Sequence, residues 1–161
     1  LMEDIRDRAV DRHYLALVHG VIAPDTGMID APIARSANER TRMAVRDVPS
    51  ARDAVTTFRV LERFEPRQHD DGYTLIDCKL FTGRTHQIRV HMAFIGHPLV
   101  ADALYGGSLV GEMGRQALHA YRLAFQHPVS GQQLILHAPL PADMREVMAD
   151  WGLSYNPSTG S

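Results

Sequence analysis

At 161 residues, 45% of them apolar and 22% charged, with a formal net charge of −2, the sequence fits one globular domain burying about two-thirds of its unfolded surface. One cysteine, Cys78, excludes an internal disulfide framework and a multi-cysteine zinc site. No apolar run approaches the ~20 residues of a membrane helix and no secretory signal is present, so the expectation is a reduced, cytoplasmic protein with no membrane partner.

The near-neutral charge does not advertise a nucleic-acid binder, but it averages over an uneven chain. Acids gather in 3–11, 62–77 and 143–150, and none occurs in 78–101. The segment 35–52 holds five arginines against Glu39 and Asp47, and sixteen of the seventeen cations are arginine. Codon bias accounts for the type of cation, not for its clustering. Arginine's planar fork suits phosphates and base edges.

In chain order, 1–11 has the apolar spacing of a helix end. "HYLALVHGVI" is rich in β-formers and predicts a strand, and Pro24, Asp25 and Gly27 predict a hairpin after it. The 35–52 segment reads as loop with one short strand at 43–45. Alternation over 54–64 predicts a strand, and "QHDDG" a turn into a second strand, "YTLIDCKLF", hairpinned with the first. The period changes over 82–96, where Ile88, Met92 and Ile95 fall at helical spacing before the stop at Gly96 and Pro98. A strand–turn–strand follows, bent at Pro128, Ser130 and Gly131, and 141–152 closes as a helix. The fold class is α+β, a largely antiparallel mixed sheet with a few helices. One domain spans 1–152, and 153–161 reads as a flexible tail.

The stretch 80–98, "LFTGRTHQIRVHMAFIGHP", packs Arg84, His86, Arg89, His91 and His97 together without a carboxylate. Gly83 permits a sharp turn off the strand. Thr82 or Thr85 is a candidate helix N-cap, which would leave amides free for an anion. His86 and Arg89 share one helix face, and Ile88, Met92 and Ile95 another. A charged face of this kind is either simply solvated or a site. Metal binding is disfavoured by spacing: His86 and His91 lie five apart, about 140° around a helix, whereas zinc-hydrolase helices place ligands four apart beside a glutamate. A serine hydrolase lacks its Gly-x-Ser-x-Gly setting, and phosphate-loop and dinucleotide patterns are absent.

The block 83–107, "GRTHQIRVHMAFIGHPLVADALYGG", resembles the signature of RNA pseudouridine synthases, in the subgroup that modifies large-subunit ribosomal RNA. "RHYLALVHG" is similar to that family's strand bearing the active-site tyrosine, and "IDAPIARSANERTRMAV" and "ALHAYRLAFQHPVSGQQLILHAPLPADM" are similar to later segments. The resemblance implies an isomerase that converts uridine to pseudouridine in RNA without a cofactor. Tyr14 matches the tyrosine that packs against uracil, and Arg89 the basic residue that pairs with the catalytic aspartate. Arg84, His86 and Gln87 match positions near the flipped nucleotide, and Arg35, Arg40 and Arg42 are expected on backbone phosphates. Without the resemblance, Tyr14 reads as a core or edge residue.

The family's aspartate lies in a His-Arg-Leu-Asp string upstream of the tyrosine strand, and the 161 residues contain no such string. The expectation is a C-terminal part of a catalytic domain, inactive by itself, with a non-catalytic RNA-binding relative as the alternative. On this reading Arg89 lacks a counter-charge within the chain, and an uncovered sheet edge could drive self-association.

Overall fold

The computed structural model describes residues 11–155. Eight strands are formed: β1 (Asp11–His19), β2 (Thr26–Asp30), β3 (Ile33–Arg35), β4 (Met43–Val45), β5 (Val55–Phe64), β6 (Tyr73–Leu80), β7 (Leu118–Gln126) and β8 (Gln133–His137). Helix α1 covers Gln87–Phe94 and α2 Ala142–Ala149, with a 3₁₀ turn at Ala103–Tyr105. Six strands make one sheet in the order β2-β5-β6-β1-β7-β8, every pairing antiparallel, and β3-β4 form a separate hairpin. The expected α+β class and antiparallel sheet are present.

The alternating pleat of the central strands divides the interior in two. Leu15 and Leu17 of β1 and Leu75 of β6 pack with Met144 and Met148 of α2. Ala16 and Val18, with Ile76 and Cys78, pack with Ile88 and Met92 of α1. Full burial of each such large side chain stabilises by about 1.5–3 kcal/mol. With both faces covered, β1 and β6 read as near-continuous apolar runs.

The strand pairs β5–β6 and β7–β8 and the short strand at 43–45 lie where the sequence places them. The hairpin expected around 24–27 does not form. β1 pairs with β6 and β7, while β2 crosses to the far edge beside β5. The connection turns at Gly20, whose φ is 84°, and its turn chemistry redirects the chain without pairing its flanks.

Helix α1 is shorter than the expected 82–96, because 81–86 is spent on a shaped turn. At the other end, Leu153 and Tyr155 pack on the α2 core, and Glu62 accepts the backbone N–H groups of Ser154 and Tyr155. The segment expected to be a tail is therefore attached as far as 155. The helix end expected over 1–11 lies almost wholly outside the described residues.

Candidate active site

The turn after β6 is held by the amide of Gln87. Its Oε1 accepts the Thr82 hydroxyl (2.7 Å) and the Arg84 backbone N–H (3.0 Å), and its Nε2 donates to the Val55 carbonyl and to Thr56 Oγ1 (both 3.0 Å). Gln87, expected among the nucleotide contacts, is thus buried and spends its hydrogen-bonding capacity on shaping the turn. The helix N-cap is neither Thr82 nor Thr85 but His86, in the left-handed region at φ 55° with no side-chain cap. Of the first-turn amides, that of Gln87 donates to the Arg84 carbonyl (3.1 Å), and the Val90 amide makes the helix's first i→i−4 bond to His86.

A non-glycine residue in the left-handed region is uncommon and persists only where its surroundings enforce it. Here the His86 ring is anchored, with Nδ1 2.7 Å from the Tyr105 hydroxyl. That hydroxyl also accepts the backbone N–H of Met43 in β4 (2.9 Å). Burial, reinforced by the positive charge of Arg89 and opposed by Asp102, holds the His86 pKa below its ordinary value. The neutral ring then leaves Nδ1 free to accept the Tyr105 O–H.

Arg89 does not face outward for want of a counter-charge. Its Nε and Nη2 donate to the two carboxylate oxygens of Asp102 (3.0 and 2.9 Å), a two-pronged pair, and its guanidinium lies 5.0 Å from the Tyr105 ring centroid. Asp102 is 1% exposed. This corrects the expectation that Arg89 lacks a counter-charge within the chain. The loop carrying Asp102 is built for the task. Ala101 adopts φ 63°, and a side chain at Gly107 would collide with the Leu99 carbonyl. Its backbone also closes on Asp102, whose carbonyl accepts the N–H groups of Tyr105 and Gly107.

Tyr14 lies on the α1 side of β1, partly packed against the Ile88 and Met92 cluster. It borders a groove of about 270 Å³ lined also by Arg12, Leu123, Leu136 and His137. The β1–β7 register shifts between His13 and Tyr14, a bulge that opens the strand pair at this groove. Arg12 in turn lies against the turn after β6: a side chain at Gly83 would come within 2.7 Å of its Nη1. The groove and the arginine-bearing turn are therefore neighbours.

Arg84 is partly exposed and tethered by one bond, Nε to the Asp53 carbonyl (2.7 Å). Arg35, Arg40 and Arg42 belong to the β3–β4 hairpin. Arg35 and Arg40 are exposed, Arg42 is half-buried, and Arg35 donates to the Arg40 carbonyl across the loop. The hairpin meets the turn through Met43 and Tyr105. His91 is fully buried, with its two ring nitrogens 2.8 Å from Thr56 Oγ1 and 2.9 Å from the Ala31 carbonyl, and His97 Nδ1 lies 2.8 Å from the His19 carbonyl. Both serve as struts between elements.

The sequence profile of the RNA pseudouridylate synthase family matches residues 1–94. The chain belongs to this family. It is 47% identical over 149 residues to an uncharacterised RNA pseudouridine synthase of Bacillus subtilis, covering 92% of this chain and 46% of that protein. It is 47% identical over 156 residues to the ribosomal large subunit pseudouridine synthase D of Nitrosomonas europaea, covering 92% of this chain and 43% of that protein. The chain thus spans about half the length of these curated relatives. Among solved structures, human RNA pseudouridylate synthase domain containing 1 superposes with a TM-score of 0.73 at 26% identity, covering 95% of this chain and 65% of that one.

Two residues that shape the site, Asp102 and Tyr105, do not announce themselves as partners in the sequence. They lie 13 and 19 positions from Arg89 and His86 along the chain. Their one signal is a place in the same block, "VADALYGG".

Proposed function

We propose that the chain is the part of a uridine isomerase that grips RNA and receives the flipped base, acting on large-subunit ribosomal RNA. The observation that carries this reading is the groove at Tyr14, flanked by Arg12 and adjoining the turn that bears Arg84. A base must leave its stack to be altered, at a cost of a few kcal/mol, and an aromatic face in a groove offsets part of that cost. Two relatives' names support the substrate class: both are pseudouridine synthases, and one is named for the large ribosomal subunit.

In the reaction the C1′–N1 bond of uridine breaks, the uracil turns, and C5 bonds to C1′. The proton displaced from C5 is lost and N1 gains one, so atoms balance without a cofactor. Tyr14 would pack against the uracil. Arg89, oriented by its two-pronged pair with Asp102, would hold the catalytic aspartate ionised, because a guanidinium beside a carboxylate lowers its pKa. The Arg35, Arg40 and Arg42 hairpin would take backbone phosphates.

The His-Arg-Leu-Asp string is absent from these residues, so the chain alone is expected to bind RNA without turning it over. Incubation with a uridine-containing large-subunit ribosomal RNA fragment, followed by chemical mapping of pseudouridine, tests this. Binding without product is expected. Product formed by the chain alone would overturn the inactivity, and absence of binding would overturn the RNA reading. Strand β8 lies at a sheet edge with Ile135 and Leu136 exposed, and self-association is proposed through such an edge. Sedimentation over a range of concentrations should show a dimer or larger species, and a concentration-independent monomer would count against it.

A further inference from the structure

The Tyr105 hydroxyl joins three pieces of chain that are distant in sequence. It accepts the Met43 N–H from the arginine hairpin, bonds the left-handed His86 of the turn, and belongs to a ring that lies against Arg89. We propose that Tyr105 is a positioning residue whose hydroxyl fixes the arginine hairpin and the turn at His86 in one relative placement, so that RNA meets both together. This rests on the proposal that hairpin and turn contact RNA.

That hydroxyl is the hydrogen-bonded link from β4 to the turn at His86. Strands β3 and β4 have three residues each and form a sheet of their own, separate from the six-stranded one. Two strands alone are marginal in water and need packing to hold an orientation. Apolar packing of Ile33 and Val90 supplies adhesion, which is non-directional. Backbone hydrogen bonds between Ile33 and Arg52 direct the β3 side of the hairpin, and the two hydrogen bonds at Tyr105 direct its β4 side toward the turn. At His86 the latter also restrain a backbone conformation that few non-glycine residues adopt. The charged groups around the hydroxyl are Arg89 on α1, Asp102 at the 3₁₀ turn and Arg42 on the hairpin. None of them replaces the link from Met43 to His86.

Tyr105→Phe removes the hydroxyl and keeps the ring. The 161-residue chain and this variant are titrated with a fluorescently labelled RNA hairpin carrying a uridine loop, at several salt concentrations. The expected result is affinity about three- to tenfold weaker, the scale of one lost neutral hydrogen bond, with a shallower salt dependence because fewer phosphates are met at once. A variant that melts earlier but keeps both affinity and salt slope would show a purely structural tyrosine and overturn the inference. The Arg40→Ala, Arg42→Ala double variant separates the two readings. If it weakens binding and Tyr105→Phe does not, positioning alone fails; if neither matters, the RNA reading fails and takes this inference with it. Should Tyr105→Phe not fold, the wild-type Met43 amide is followed by hydrogen exchange. Protection of that amide is expected, and exchange at an unprotected rate would overturn the proposal.

Discussion

The two faces of the sheet are held by different physics. Under α2 the helix contacts are methionine and aromatic packing, with Met144 and Met148 fully buried and Trp151 stacked on Tyr73 at 4.3 Å between centroids, beside one polar cluster of Asp77, His13 and Arg59. Under and around α1 the contacts are directional: Gln87 to Thr82 and Thr56, His91 to Thr56 and Ala31, Arg89 to Asp102. Flexible apolar side chains tolerate exchange of shape, whereas a hydrogen-bonded network fails when one member is removed. The face carrying the arginine turn and Tyr14 is the one built for fixed geometry.

The sharpest break in this contrast is Asp102→Ala. It leaves the Arg89 guanidinium, with a side chain 14% exposed, without its carboxylate, and the expected loss is about 3–5 kcal/mol in denaturant unfolding. Next comes Met148→Ala, which opens a cavity in the α2 core at about 2–5 kcal/mol. Met148→Leu keeps the volume and should cost less than about 1.5 kcal/mol by the same measurement. If Arg89→Lys, which loses the two-pronged geometry, were as mild as Met148→Leu, the contrast between faces would not hold.

A smaller effect is read in pH. Burial, partly offset by the Ala31 carbonyl and Asp30, holds the His91 pKa below 6.5. As pH falls below that value the unfolded chain takes up a proton first, so stability drops there and recovers above it. His91→Gln should cost about 1–3 kcal/mol near neutrality for the disturbed buried bonds and remove His91's part of the pH slope below about 6.5. An unchanged slope would assign the dependence elsewhere. On the opposite face Asp77 supplies the acid counterpart. Burial alone would raise its pKa, but the His13 ring at 3.0 Å, with Tyr121 and Arg59, lowers it overall. Its contribution is therefore present above the ordinary carboxylate value of about 3.9 and is lost as pH falls below it. Asp77→Asn should flatten the acid end of the stability curve.

Much of the fold was legible because it is local. The pairs β5–β6 and β7–β8 announce themselves by alternation around turn residues, and β4 as a short strand within a weakly periodic segment. The β1–β2 connection carried the same turn chemistry, yet its strands find their partners far along the chain in β6 and β5, which no local pattern encodes. The site divides in the same way. Arg84, His86, Arg89 and Tyr14 were legible as residues, but what each faces was not. The counter-charge of Arg89 lies beyond the helix stop, on a loop whose left-handed Ala101 gives no sequence warning. Gln87 read as a polar residue near a site, while its burial depends on Thr56 of a different strand.

The central claim is that the α1 side, with its hairpin arginines, is an RNA-binding surface. The most direct test is the salt dependence of RNA binding by the chain and by its Arg35→Ala, Arg40→Ala, Arg42→Ala triple variant. Each phosphate left without its arginine should reduce the slope of log affinity against log salt by about 0.7 for single-stranded RNA, so a clearly shallower line is predicted for the variant. Parallel lines at equal affinity would contradict the account.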